Sequence, residues 1–216
     1  EFSKEANDFA NSLPIIVEEK DLKGRKDLTN EIVFTIDGDD TKDIDDALSL
    51  KKHPTYYTLS VHIADVSYYV TKDSPLDQDA FKRGTSSYLA DSVIPMLPHK
   101  LSNGICSLNP NVQRLTITCE MDIDLKGNVI NYDIYPSYIK SSKKMTYNKV
   151  NDILLNNKID EDYMPYKEIL LDMYELSKIL RKNKEKKGYI DFQLDEAKII
   201  CNEEGKCIDI KRREQK

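Results

Sequence analysis

EIVFTIDGDDTKDIDDALSLKKHPTYYTLSVHIADV, residues 31–66, is the stretch on which the reading of this chain turns. Its first six residues form a β-run too apolar to leave both faces in water. DALSLKK offers that run a partner, and His53-Pro54-Thr55 turns the chain into YYTLSVHIADV. There Leu59, Val61 and Ile63 alternate with Ser60, His62 and Ala64, which predicts a strand with one apolar and one polar face. Between the first two strands, the ten residues from Asp37 to Asp46 hold six aspartates and one lysine.

Moving outward, residues 4–13 predict a short helix, and VEEKDLKGRKDLTN up to Asn30 reads as a polar connector. Ser74-Pro75-Leu76-Asp77 has the form of an N-cap, a first-turn proline and an acid at N3, opening a helix to about Arg83. YLADSVIPMLPHKLSNGICSLNP is rich in Pro, Asn, Gly and Ser and predicts an ordered, irregular loop. QRLTITCEMDID and VINYDIYPSYIK, joined by LKGN, predict an antiparallel hairpin. Thr146 is placed to cap a helix through Leu155, and Pro165 to open a longer one that Gly188 stops. YIDFQL and AKIICNEEGKCIDI predict closing strands. The fold class is therefore α+β, a mixed, mostly antiparallel sheet with a few helices. A helix and connector (1–30) lead into one domain (31–216).

Composition narrows the function classes. Of 216 residues, 39% are hydrophobic and 32% charged, and no apolar stretch nears the roughly 18 residues of a membrane span. The chain reads as soluble and cytoplasmic, with no membrane partner. Cys106, Cys119, Cys201 and Cys207 show no zinc-ligand spacing and read as free thiols, although Cys201 and Cys207 could face each other across a hairpin. The net charge of −6 equals that of residues 31–50 alone, so the acidity is local. Basic clusters at 140–149, 178–187 and 211–216 suit solvated faces and tails.

Three uses of the aspartates compete: a solvated loop, a calcium loop of the EF-hand type, and a magnesium site for phosphoryl transfer. The calcium loop fails, because counting from Asp37 puts Thr41, Lys42 and Leu48 at positions 5, 6 and 12. Position favours magnesium over the solvated loop, since Asp37 ends a buried strand and Asp45-Asp46 precede another apolar pair. Two carboxylates about 6 Å apart repel by ~3 kcal/mol at an effective dielectric near 20, so four converging ones call for a cation. Asp37, Asp43, Asp45 and Asp46 are the candidates.

TIDGDDTKDIDDAL, then HIADVSYYV, then GTSSYLADSVIPMLPHKLSNGICSLNP together resemble the catalytic (RNB) domain of the ribonuclease II and ribonuclease R family, its bacterial ribonuclease R branch most. The resemblance runs from about Lys23 to the end. It implies a parent enzyme that degrades single-stranded RNA processively from the 3′ end to nucleoside 5′-monophosphates, using Mg²⁺, with Mn²⁺ as a substitute, and working as a monomer. It implies Asp37, Asp43, Asp45 and Asp46 as metal-binding residues, with Asp45 and Asp43 catalytic and Asp45 nearest the chemical step. It also implies Tyr88 as an aromatic that stacks on the terminal base. Asp39 and Asp40 fall at variable positions, His62 reads as a packed histidine, and Tyr68 and Tyr69 as structural.

The family's domain is longer. Its distal half supplies an arginine and an acid near the scissile phosphate, so the chain alone is expected to be weakly active or inert, with an apolar face able to pair copies. The reading from another class is a non-catalytic, acidic metal-binding or interaction module of the same fold. An RNA-binding module is disfavoured by the acidic balance.

Overall fold

The computed structural model of the chain describes residues 1–90, 92–190 and 196–213. In chain order its elements are α1 (Lys4–Ser12), β1 (Lys26–Asp27), β2 (Phe34–Asp37), β3 (Asp46–Lys52), β4 (Tyr56–Ala64), α2 (Val66–Tyr69), α3 (Pro75–Arg83), β5 (Ser87–Tyr88) and β6 (Val93–Ile94). There follow β7 (Gln113–Asp124), β8 (Val129–Lys140), β9 (Lys143–Thr146), α4 (Tyr147–Leu155), α5 (Lys167–Lys186), β10 (Glu196–Cys201) and β11 (Cys207–Arg213). The chain divides into two units, residues 14–69 with 100–189, and residues 1–13 with 70–99 and 190–216. The α+β class and the mostly antiparallel pairing are as the sequence predicts.

The larger unit is built on a seven-stranded sheet in the order β1-β8-β7-β4-β3-β2-β9. Its centre is an antiparallel ladder: β3 and β4 pair from Asp46↔Ile63 to Lys52↔Tyr57, and β4 and β7 from Tyr56↔Asp124 to Ala64↔Thr116. Two parallel pairs close its ends, β1 with β8 and β2 with β9. At the β7–β8 turn Gly127 takes a φ of +83°, and a Cβ there would lie 3.0 Å from Asn183 Cβ of α5. Glycine thus serves both the turn and the close approach of the helix.

The faces of β4 depart from simple amphipathicity. Ser60, His62 and Ala64 are buried, whereas on the other face only Tyr57 is buried and Ile63 is 46% exposed. Alternation reveals that two faces differ but not which one is covered. At its Ala64 end the polar face joins a cluster of Leu28, Val33, Ile44, Ala47, Leu108 and Ile139. Its hydroxyls form a chain: Ser49 Oγ meets His62 Nε2 at 3.1 Å, His62 Nδ1 meets Thr118 Oγ1 at 2.8 Å, and Ser137 Oγ meets both Thr118 and Thr116 Oγ1 at 2.6 Å. The apolar face is covered at one end by α5, where Leu50, Tyr57, Ile123 and Leu176 pack together. Phe34 and Met145 pack with Val150 and Ile153 of α4 and Leu170 of α5. Ile63 and Ile134 stay open on that face.

The polar connector is part of the sheet. Lys26 and Asp27 pair with Ser137 and Tyr138 as β1, and the Arg25 side chain, 8% exposed, forms an ion pair with Asp65 at 2.5 Å. Arg25 also donates to the carbonyls of Thr116 and Ser137. Composition marks these residues as polar, but Leu28 and the arginine are what seal the edge. Of the basic cluster at 140–149, Lys143 pairs with Asp162 and Lys149 with Asp160.

In the smaller unit α1 packs on α3, burying Ala6, Ala10, Leu76 and Ala80. Ser74 Oγ caps α3 by accepting from Asp77 N–H, and Pro75 opens the helix, as read from sequence. β5 pairs with β6, and β10 with β11, bringing Cys201 opposite Cys207 with both thiols free. Most of YIDFQL lies outside the described residues. Among the described residues no helix is long and apolar enough to cross a membrane.

Candidate active site

Asp37 is the last residue of β2 and Asp46 the first of β3, so two carboxylates are carried on adjacent strands. Asp43 and Asp45 lie between them, in residues 38–45, which have no regular secondary structure. A backbone without a ladder needs other partners for its polar groups. Thr41 N–H turns back to Gly38 O at 3.2 Å, Leu108 N–H donates to Ile44 O at 2.9 Å, and Ala64 N–H donates to Asp45 O at 2.9 Å. Side chains add further bonds to the loop. Lys144 donates to the carbonyls of Thr41 and Asp39, Asn148 Nδ2 donates to Asp39 Oδ2 at 2.8 Å, and the Ser107 hydroxyl bridges Lys42 O and Ile44 N–H.

Crowding shapes the electrostatics. The Asp37 carboxyl is pushed up, first by loss of water around it and further by Asp46 and Asp43, with the Thr35 hydroxyl and Lys144 opposing. One of its oxygens, Oδ2, is buried without a hydrogen-bond partner. Asp45, although open to solvent as a residue, has its carboxyl raised by local desolvation and then by Asp43, Asp46 and Asp37. The four aspartates therefore act on one another. Among the described residues no group of three His, Cys, Asp or Glu side chains is already arranged to hold a metal ion. Asp39 and Asp40 are exposed.

Tyr88 lies on β5 in the smaller unit, paired with Val93, and its side chain is largely exposed. His62 is fully buried, and desolvation lowers its pKa to about 4. The residues that sequence reading did not single out are Ser107, Arg114, Lys144 and Asn148. Only the Pro- and Asn-bounded run GICSLNP hinted that its serine belongs to ordered structure, and nothing local links it to a loop 63 residues away.

An α+β unit whose central sheet carries interacting carboxylates at the ends of two adjacent strands defines a class of acidic-site domains. The chain belongs to the family described as the RNB domain, whose model matches residues 25–216. It is 52% identical over 212 residues to ribonuclease R of Thermotoga maritima, covering 97% of this chain and 30% of the relative. It is 50% identical over 215 residues to ribonuclease R 1 of Lactococcus lactis, covering 99% of this chain and 26% of the relative. Among solved structures, Mycoplasma genitalium RNase R in complex with ribose-methylated single-stranded RNA superposes with a TM-score of 0.91 at 32% identity, covering 100% of this chain and 34% of that one. The same protein in complex with double-stranded RNA gives 0.90 at 33% identity, covering 99% and 38%. The chain thus spans between 26% and 38% of the length of these relatives.

Proposed function

We propose that the protein is an exoribonuclease that hydrolyses single-stranded RNA from the 3′ end, processively, to nucleoside 5′-monophosphates, with Mg²⁺ as cofactor and Mn²⁺ as a substitute. The observation that carries this reading is Asp37, one oxygen of which is buried without a hydrogen-bond partner while the carboxylates of Asp46 and Asp43 act on it. A carboxylate so placed is stabilised by a cation, and an all-oxygen donor set suits a hard one such as Mg²⁺. Asp37, Asp43, Asp45 and Asp46 are the residues that would hold the metal. When bound, a divalent cation supplies Lewis-acid stabilisation of the attacking and leaving oxygens at phosphorus.

The chain's own residues do the remaining work. Asp45 orients the hydrolytic water, and Asp43 shares in catalysis from the same loop. Lys144, which opposes the rise at Asp37, keeps that carboxyl closer to the charged form a metal needs. The exposed ring of Tyr88 is a stacking surface for the 3′-terminal base, since every base offers a π-face. RNA as substrate is supported by the RNA complexes of the Mycoplasma relative. The same reading assigns residues 31–216 to the catalytic domain and 1–30 to the segment leading into it, with a monomeric, cytoplasmic protein.

The test is degradation of 5′- and 3′-labelled single-stranded RNA by the full-length protein. Stepwise loss from the 3′ end that stops with EDTA and is restored by Mg²⁺ is the expected result. Internal cleavage, or activity undiminished by EDTA or by Asp45→Asn, overturns the proposal.

A further inference from the structure

We propose that Ser107 is a positioning residue for the acidic loop, setting the backbone on either side of Asp43 and through it the geometry of Asp37, Asp43, Asp45 and Asp46; this rests on the metal-binding role proposed for those carboxylates. The loop has no ladder to hold it, and like charges on it repel. Several of its backbone groups are met by a turn, a lysine or a neighbouring main chain. Lys42 C=O and Ile44 N–H, which flank Asp43, are both met by one atom. Ser107 Oγ donates to Lys42 O at 2.7 Å and accepts from Ile44 N–H at 3.1 Å. A hydroxyl does both because it is donor and acceptor at once.

Ser107 is itself fixed. It is fully buried, and its N–H donates to Gly104 O at 3.1 Å. Arg114 of β7, also buried, donates from Nε to Ser107 O at 2.8 Å and from Nη2 to Gly104 O at 3.2 Å. Leu108 N–H reaches Ile44 O one residue further on. A strut therefore runs from the central sheet through Arg114 and Ser107 to the loop, and it ends one bond from a carboxylate-bearing residue. Being neutral, the hydroxyl holds the loop without adding a positive charge that would compete with a cation. Lys144 on the other side cannot make that distinction, because it acts on Asp37 by charge as well.

The experiment compares wild type, Ser107→Ala, Ser107→Cys and Leu176→Ala, a core change in the α5 cluster away from the loop, in the full-length protein. The readouts are Mn²⁺ affinity by calorimetry without RNA, kcat and KM for single-stranded RNA, and Tm. Ser107→Ala is expected to weaken Mn²⁺ binding and kcat by about 10- to 100-fold, the scale seen when outer supports of metal ligands are removed, with KM for RNA within about twofold. Ser107→Cys, isosteric with a weaker donor, falls between; if the alanine variant does not fold, the cysteine variant carries the same criteria. Leu176→Ala lowers Tm and leaves Mn²⁺ affinity and kcat near wild type. Unchanged Mn²⁺ affinity in a folded Ser107 variant, or an equal loss in Leu176→Ala, overturns the inference. A wild-type protein without metal-dependent RNA degradation overturns the functional reading instead.

Discussion

The acidic loop and the β3–β4–β7–β8 ladder lie in one unit and are held by opposite means. In the ladder, β4 and β7 pair without interruption from Tyr56↔Asp124 to Ala64↔Thr116. No single side chain decides its register. In the loop, a serine and a lysine supply bonds that a strand would have drawn from its neighbour, and an asparagine holds the Asp39 side chain. Redundant backbone pairing gives rigidity to the scaffold, whereas single donors give the loop a shape that a sheet cannot adopt. Changes in the ladder should therefore show in stability, and changes in the loop in chemistry.

The largest effect on that division should come from Arg25→Ala. It leaves Asp65 buried, 6% exposed, and without its ion-pair partner, so unfolding in denaturant should show a loss of about 3–5 kcal/mol. A loss below about 1 kcal/mol would mean that the pair is solvated and the edge of the sheet is held otherwise. Asp45→Asn is the mirror case. RNA turnover should fall by on the order of 100- to 1000-fold, about 3–4 kcal/mol in the transition state, while Tm stays level or rises because one repelling charge is gone. A Tm that falls in step with activity would erase the contrast.

Next comes pH. His62 is held neutral by burial, with a folded pKa of about 4 against an ordinary 6.5. Between those values the unfolded chain binds the proton and the folded chain does not, so stability is lost as pH falls from 6.5 towards 4. The loss should total about 3 kcal/mol. Asp37 and Asp45, raised in the fold, contribute with the opposite sign, gaining stability as pH falls through their range. Comparing acid unfolding of wild type with His62→Gln separates the two, because the variant should lose the 4–6.5 window alone. The smallest effect should be Thr146→Ala, which removes the N-cap of α4 and should cost about 1 kcal/mol by thermal unfolding.

Much of the ladder was legible from sequence because its information is local. Alternation at 56–64, the LKGN turn and the capping residues Ser74 and Thr146 each state their own structure. The aspartate run was legible for a different reason: six like charges beside a buried strand demand an explanation. What the residues did not reveal depends on partners far away. The burial of His62 goes with partners on two other strands, Ser49 on β3 and Thr118 on β7 meeting its two ring nitrogens. The strand at Lys26–Asp27 exists because β8 offers an edge 111 residues later. Ser107 reads as one polar residue in an irregular loop, and only the fold brings its hydroxyl to Lys42 and Ile44.

The two parallel pairs also bear on how the protein is made. β2 ends at Asp37 and finds its outer neighbour only when Thr146 exists. At about 5–20 residues per second, a ribosome needs roughly 5–20 s to add the intervening hundred or so residues. For that time the aspartate-bearing strand has an unpaired edge, while β3, β4 and β7 can already assemble. During synthesis, then, the site is the part of the sheet that must wait.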